Sequence, residues 1–168
     1  MPARPVLLVP DARLKQPCAR VEVFDEALRE LIRDLEETRA QSPGCVGIAA
    51  PQIGAMWRVA IVDTSGHKKH GAVSQGHKVL INPSLAQSEG EAVGREGCLS
   101  LPDFTANVRR FERVVVEFQD ENGAEQSISA SDFEAVVLQH ELDHLDGILF
   151  LDRVANLQTD VFPRKVRK

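Results

Sequence analysis

Apolar residues recur at helical spacing in two segments of the chain. In the first, residues 25–35, charged positions surround an apolar face made of Leu28, Leu31, Ile32 and Leu35. This spacing predicts an amphipathic helix that packs that face on a core. Ser42, Pro43 and Gly44 indicate that the helix has ended there, because proline and glycine do not continue a helix.

The second helical segment lies between Ser131 and Gly147. Ser131 can cap its first turn, and Glu134, three positions later, can complete a capping box. Gly147 suits the left-handed residue that often ends a helix. The apolar positions that share a face with His140 are Phe133, Val136 and Val137. That histidine is therefore predicted to point into the fold.

Between the helices, runs of apolar and β-branched residues predict strands at residues 58–63, 78–82, 113–119 and 126–129. A polar loop, residues 64–77, separates the first two, and Asn122-Gly123 between the last two permits the positive φ angles of a tight hairpin. The order of helix, antiparallel strands and helix, without βαβ alternation, predicts an α+β domain. We expect residues 1–168 to form one domain whose antiparallel strands pack around the second helix.

Composition narrows the class of protein. With 43% apolar and 27% charged residues, the chain resembles a globular protein, and apolar runs such as residues 6–9 fall far short of the ~20 residues of a membrane helix. The N-terminus lacks the features of a signal peptide, so a cytoplasmic protein is expected. The net charge of −5 disfavours DNA as a partner. The basic end, residues 164–168, is expected to be a solvated tail, with a transient ribosome contact as the alternative.

The second helix carries a pair of histidines with metal-ligand spacing. His140 and His144 rise ~6 Å apart and differ by ~40° around the axis, so both imidazoles can bind one ion. Glu141 follows the first histidine, where its carboxylate can reach a metal-bound water without binding the metal. The alternative is two exposed histidines on a charged helix, but the apolar neighbours of His140 favour the metal site.

A catalytic metal commonly has three protein ligands. Gly147 matches the longest zinc-protease signature, but Phe150 stands where its third histidine would be, and no glutamate follows Glu141. The third donor is therefore expected upstream. The candidates are Cys18, Cys45, Cys98, His67, His70 and His77. The loop histidines are expected to be solvated and Cys18 to be a small buried residue, whereas Cys98 is either a buried thiol or the ligand.

Three separated segments resemble the motifs of the peptide deformylase family. They read Gly-Ile-Ala-Ala-Pro-Gln at residues 47–52, Glu-Gly-Cys-Leu-Ser at residues 96–100, and Gln-His-Glu-Leu-Asp-His-Leu at residues 139–145. The similarity in order and spacing extends over nearly the whole chain. A single His-Glu-x-x-His motif has little specificity, but three motifs in this order have much more.

The resemblance implies a site and a reaction. The implied metal ligands are Cys98, His140 and His144, and the implied metal is one divalent ion, Fe2+ natively, with Zn2+, Ni2+ or Co2+ as substitutes. Glu141 would be the general base and acid while metal-bound hydroxide attacks the formyl carbon, and Gln52 with the Leu99 N–H would face the oxyanion. The family reaction removes the formyl group from the N-terminal formyl-methionine of new proteins and releases formate.

A methionine side chain requires an apolar pocket beside the metal. The residues expected to line it are Val46, Gly47, Phe133, Val136 and Val137, with ordinary core packing as the alternative. Two positions depart from the family pattern. Cys45 replaces a frequent glycine and is expected at the rim of the site, and Thr105 stands where many bacterial members have an arginine thought to help hold the substrate.

Two other functions fit parts of this pattern. A metalloprotease would share the histidine pair but is disfavoured by the missing downstream ligand. A non-catalytic ribosome-binding or scaffold protein with a structural zinc would need neither Glu141 nor Gln52, and both are present.

Overall fold

The structure is a computed structural model that describes residues 4–67, 71–154 and 156–164. Its first helix, α1 (Glu26–Ala40), begins after Asp25, whose side chain accepts the N–H of Leu28 at 3.1 Å. The predicted apolar face is buried, and the helix ends at Ala40, just before the predicted stop at Ser42, Pro43 and Gly44. The prediction of α1 is therefore confirmed. His70 and residues 165–168 lie outside the described residues.

Two antiparallel sheets follow. The five-stranded sheet has the order β1-β2-β3-β6-β7, and its strands are β1 (Gly47–Ala49), β2 (Val59–Val62), β3 (Lys78–Glu89), β6 (Arg113–Gln119) and β7 (Glu125–Ser131). The three-stranded sheet has the order β4-β5-β8, and its strands are β4 (Ala92–Cys98), β5 (Leu101–Arg110) and β8 (Val161–Pro163). The strands of the first sheet were predicted in part, whereas those of the second were not.

The strand β2 is covered on both faces. Successive side chains of a strand point to opposite faces. Val59 and Ile61 pack in the core cluster of α1, while Val62 packs in the cluster of the second long helix, α2 (Asp132–Leu145). The five-stranded sheet thus separates the two helices, and α2 packs against β1, β2, β6 and β7.

The start of α2 differs from the sequence prediction. Ser131 precedes the helix but makes no capping hydrogen bond through its side chain. The Glu134 carboxylate, expected to complete a capping box, instead accepts the Gln75 N–H at 2.9 Å and lies 3.4 Å from the Thr64 hydroxyl. The capping box was wrong because this buried carboxylate finds its partners in the loop that follows β2.

The end of α2 agrees with the sequence prediction. Gly147 has a φ of 76°, in the left-handed region. A Cβ at this position would lie 2.8 Å from backbone atoms of Lys15 and Gln16, closer than such contacts allow. Glycine is therefore required both for the turn and for the close approach of the N-terminal segment.

The hairpin between β6 and β7 turns through residues 120–124, which include the predicted dipeptide Asn122-Gly123. Of its central residues, Gly123 has a positive φ of 83°, and Asn122 does not. The Asp120 carboxylate accepts the N–H groups of Asn122 and Ala124 at 2.9 and 3.0 Å and so stabilises the turn. None of the described helices has the length and apolar character needed to span a membrane.

Candidate metal centre

Three potential metal donors meet between the second sheet and α2. Cys98 ends β4, and His140 and His144 lie one turn apart on α2. One ligand atom from each lies within 4.8 Å of the others, and the Cys98 Sγ is 3.3 Å from the His144 Nε2. Donors bound ~2.0–2.3 Å from a tetrahedral ion would be roughly 3.5 Å apart. The three side chains are therefore arranged closely enough to hold one ion.

Glu96 sets the orientation of one imidazole. Its Oε1 lies 2.9 Å from the His140 Nδ1, which directs the opposite ring nitrogen, Nε2, towards the cluster. Such a carboxylate contact fixes the tautomer of a ligating histidine and increases its basicity. The Nδ1 of His144 is buried and has no hydrogen-bond partner among the described residues. The ring of Phe150 stacks on His140 with the ring centroids 6.0 Å apart. Phenylalanine cannot bind a metal, so Phe150 supports His140 by packing.

A buried ionic network stabilises Glu96. The Arg110 guanidinium donates to both Glu96 oxygens at 2.9 Å and also to Asp143, which in turn accepts two hydrogen bonds from Arg153. Burial by itself would raise the pKa of Glu96, but the hydrogen bonds from His140 and Arg110 hold it below its ordinary value. Glu96 therefore stays charged although it is buried.

The surroundings of Cys98 favour the thiolate. Burial alone would raise the pKa of its thiol, but the adjacent rings of His144 and His140 hold that pKa well below its ordinary value. The thiolate is the form of cysteine that binds metals. One thiolate and two imidazoles are a donor set that suits Zn2+ and related divalent ions.

Glu141 lies beside the donors and has an unpartnered oxygen. Its side chain is buried, its Oε1 has no hydrogen-bond partner among the described residues, and burial raises its pKa. A buried carboxylate oxygen without a partner is costly unless a water or ligand meets it. A Cβ at Gly47 would lie 2.7 Å from the Glu141 Oε2, so glycine at this position leaves the space that Glu141 occupies. These features fit a metal-associated water next to Glu141.

Gln52 is fixed with its amide group facing Cys98. Its Oε1 accepts the Ala49 N–H at 3.0 Å, which leaves Nε2 to donate to the Ser100 hydroxyl at 3.1 Å. The same Nε2 lies 3.6 Å from the Cys98 Sγ. Leu99 follows Cys98 in the turn to β5 and lines a pocket beside the three donors.

A pocket of about 680 Å³ opens onto Cys98, His140 and Glu141. Its wall contains all five residues expected around a methionine side chain: Val46, Gly47, Phe133, Val136 and Val137. Cys45 also lines it, as expected for a residue at the rim, and burial raises the pKa of its thiol to about 11. The structure thus brings the predicted pocket residues together beside the candidate metal donors.

The remaining candidates for the third donor lie elsewhere. Cys18 is only partly buried, and its N–H donates to the Leu145 carbonyl at 2.8 Å. His77 lies on the surface beside Glu36, as expected. His67 was expected to be solvated, but its ring packs on Phe133 with centroids 4.5 Å apart and lines the pocket. That expectation was wrong because the loop after β2 folds back towards α2.

Sequence reasoning missed several residues at the site. Arg110 and Asp143 support Glu96 from positions far apart in the chain, and no motif predicted their pairing. Arg95 and Arg164 line the outer part of the pocket. Arg164 was assigned to a solvated tail, and the structure instead places it at the pocket, where its main-chain N–H donates to the Asp103 carbonyl. The signal for Arg95 was only its proximity to Cys98 in sequence.

The antiparallel sheets surround a helix that carries two histidine donors. With one thiolate as the third donor and a carboxylate beside them, this arrangement is that of a metal-dependent hydrolase. Within this class, the sequence model of one protein family, described as polypeptide deformylase, matches residues 3–160 of the chain. The peptide deformylase of Desulfotalea psychrophila (strain LSv54 / DSM 12343) is 41% identical over 159 residues, which cover 95% of this chain and 92% of that protein.

Solved structures agree with this assignment. A peptide deformylase from Legionella pneumophila is 40% identical, with a TM-score of 0.84 over 93% of this chain and 88% of that one. A class I type b peptide deformylase from Acinetobacter baumannii with Met-Ala-Ser bound is 32% identical, with a TM-score of 0.83 over 90% and 98% of the two chains. The chain belongs to the polypeptide deformylase family and is a hydrolase, and the predicted α+β fold is confirmed.

Proposed function

We propose that this enzyme removes the formyl group from the N-terminal formyl-methionine of newly made proteins and releases formate. The observation that carries the proposal is the buried Oε1 of Glu141, which has no partner among the described residues and lies beside the donors Cys98, His140 and His144. Family membership supports deformylation as the reaction. The Acinetobacter baumannii relative, solved with Met-Ala-Ser, supports a peptide with an N-terminal methionine as the substrate class.

The proposed cofactor is one divalent ion per chain, natively Fe2+, with Zn2+, Ni2+ or Co2+ able to replace it. Cys98, His140 and His144 would hold it, and Glu96 would keep His140 in the required tautomer. When bound, the ion would supply Lewis acidity, which would make the attacking water more acidic. Because iron and its thiolate ligand oxidise in air, the Fe2+ form of the enzyme should lose activity faster than the Ni2+ form. A comparison of their activity lifetimes in oxygenated buffer tests this.

Three groups of the chain would then perform the chemistry. Glu141 takes the proton of the attacking water through Oε1 and returns it to the leaving amine. The raised pKa of Glu141 makes its carboxylate a better proton acceptor. Gln52 donates through Nε2 to the oxyanion that forms on the formyl oxygen, and the Leu99 N–H donates to the same atom. Because Ala49 holds the other end of the Gln52 amide, this donor is oriented before substrate enters.

The apolar pocket would hold the methionine side chain. Val46, Phe133 and Val137 offer apolar surface next to the metal donors, and the thioether of methionine can adapt to such surface. Gly47 lies in the wall of the same pocket, and its lack of a Cβ leaves room for Glu141. Formylated nascent peptides are accordingly the proposed partners. The proposed catalytic unit is residues 1–168, and the proposed location is the cytoplasm. A transient ribosome contact stays a prediction.

The test combines metal analysis of anaerobically purified protein with formate release from formyl-Met-Ala. We expect one ion per chain and formate release by the wild type. Cys98→Ala should lose the tightly bound ion and activity, whereas the matched variant Cys18→Ala should keep both. Full metal content and activity in Cys98→Ala would show that the ligand assignment is wrong. Absence of formate release by the metal-loaded wild type would reject the proposed reaction.

A further inference from the structure

Two arginines line the mouth of the metal pocket and have no ionic partner among the described residues. Arg95 lies on β4, three positions before Cys98, and Arg164 follows β8. No carboxylate lies within ion-pair distance of either guanidinium in the part of the chain that the structure describes. Most other described arginines pair with a carboxylate, as Arg109 does with Glu91 and Arg153 with Asp143. Among the described arginines, Arg20 is the only other one without an ion pair, so two of these three lie at one pocket.

The Arg95 guanidinium is held by neutral groups. Its Nε donates to the Asn107 side chain at 3.2 Å, its Nη1 lies 3.4 Å from the Thr105 hydroxyl, and its Cζ lies 3.9 Å from the centre of the Phe162 ring. Stacking on an aromatic ring and neutral hydrogen bonds keep the charge in place without neutralising it. The cation is therefore positioned and remains available to an anion.

Arg164 reaches the same mouth from the other side of the second sheet. Its main-chain N–H donates to the Asp103 carbonyl at 2.7 Å, which anchors the residue after β8. Its guanidinium covers Gly97, where a Cβ would collide with it. Gly97 directly precedes Cys98, so this second cation lies close to the metal donors as well as at the pocket mouth.

We propose that Arg95 and Arg164 form a cationic rim that selects peptides by charge, favouring an acidic and disfavouring a basic side chain at the third residue. This inference rests on the proposed function. Arg95 is three strand positions from Cys98, ~10 Å along β4. An extended peptide whose first residue lies at the metal would bring its third residue near this rim.

The test compares formyl-Met-Ala-Glu and formyl-Met-Ala-Lys, both as C-terminal amides. At low salt the wild type should show a kcat/KM for the glutamate peptide at least about 5-fold higher, as expected for a few exposed charge pairs. The difference should lie in KM with kcat unchanged, because the rim binds ground state and transition state alike. The ratio should fall in Arg95→Gln and in Arg164→Gln, approach one in the double variant, and recover in Arg164→Lys.

Two controls keep the outcomes distinct. Arg109→Gln removes an exposed arginine on β5 that does not line this pocket, and it should leave the ratio unchanged. Calorimetric binding of the product peptides Met-Ala-Glu-amide and Met-Ala-Lys-amide measures the preference without turnover. If formate is not released but the wild type still binds the acidic peptide more tightly, only the proposed reaction fails. Equal kcat/KM and equal binding for the two peptides, or a ratio that survives in the double variant, would overturn the rim.

Discussion

The two long helices of the described chain, α1 and α2, are stabilised in different ways. The core-facing side of α1 is mainly apolar, and charged residues cover its solvent side. By contrast, α2 is buried nearly all the way round, and its buried residues include Glu134, Gln139, Glu141 and Asp143. The packing of α1 is mainly apolar, with one ion pair between the buried Asp34 and Arg4, whereas several buried polar residues contribute to the packing of α2.

The buried polar groups of α2 show which of them serve the fold. Gln139 donates to and accepts from the backbone of Phe111, and Asp143 binds two arginines. Among the described residues, the Glu141 Oε1 and the His144 Nδ1 have no such partner. Groups that are fully paired stabilise the helix, whereas an unpaired buried group indicates a role with substrate, water or metal.

The largest effect should come from changing the unpaired carboxylate. Glu141→Gln keeps size and hydrogen bonding but cannot accept a proton, so turnover should fall by at least ~10²-fold. Metal content should stay at the wild-type value, because Glu141 is not one of the three donors. Formate release measured alongside metal stoichiometry checks both. Near-wild-type turnover would remove Glu141 from the mechanism, and loss of metal would give it a structural role.

A paired charge should behave in the opposite way, with a loss of stability. Arg110→Met leaves Glu96 and Asp143 buried without this partner, which should cost about 3–5 kcal/mol in the free energy of unfolding. Arg113→Met, which removes an exposed ion pair with Glu89, should cost far less, because water and salt screen an exposed pair. Urea unfolding of the metal-free proteins measures both. Equal losses would contradict the importance of the buried network.

The pH dependence of the Arg110 effect has a defined sign. The folded-state pKa of Glu96 is depressed below the ordinary value of 4.5, despite burial, by His140 and Arg110. Stabilisation from a depressed carboxylate pKa is present above the unfolded value and is lost as pH falls through the folded value. The stability difference between wild type and Arg110→Met should therefore be largest above about pH 4.5 and shrink below it.

On α1, the expected effect is on stability without any effect on chemistry. Leu35 is fully buried in the cluster that contains Ile48 and Ile61, so Leu35→Ala should cost about 2–5 kcal/mol. Metal content and KM, measured well below the unfolding temperature, should remain at wild-type values. A changed KM would indicate that α1 is coupled to the site more directly than its packing suggests.

The smallest effect separates the two helix starts. Asp25→Ala removes an observed capping hydrogen bond of α1 and should cost about 0.5–2 kcal/mol. Ser131→Ala should change the free energy of unfolding by less than about 0.5 kcal/mol, because the Ser131 side chain makes no capping bond. Thermal or urea unfolding resolves the pair. A larger loss in Ser131→Ala would restore the capping box predicted from sequence.

Elements with a clear apolar period were predictable, and those without one were not. The helix α1 and the strand β6 agree with the periodicity, and β6 has the predicted bounds. The strand β4 is mostly exposed and contains two glycines, so its sequence lacks an alternating pattern. In β5 the buried positions include Arg110, although an arginine in a sequence is normally expected to be exposed to solvent.

The site was predictable where ligands are close in sequence or belong to a motif. The spacing of His140 and His144 follows from helix geometry, and Cys98 was identified by resemblance. The pairing of Arg110 with Glu96 and Asp143 depends on how two distant segments meet, which no local pattern encodes. The same holds for Glu134, whose local partner was predicted and whose actual partners come from the loop after β2.

The donors of the candidate centre belong to two structural units. Cys98 is the last residue of a strand in the three-stranded sheet, whereas both histidines project from a helix that packs on the five-stranded sheet. A bound ion would act as a cross-link between these units, and its binding energy would oppose their separation. Local opening of the smaller sheet and release of the ion would then be a single event, so the lifetime of the metal complex would be limited by a partial opening rather than by global unfolding.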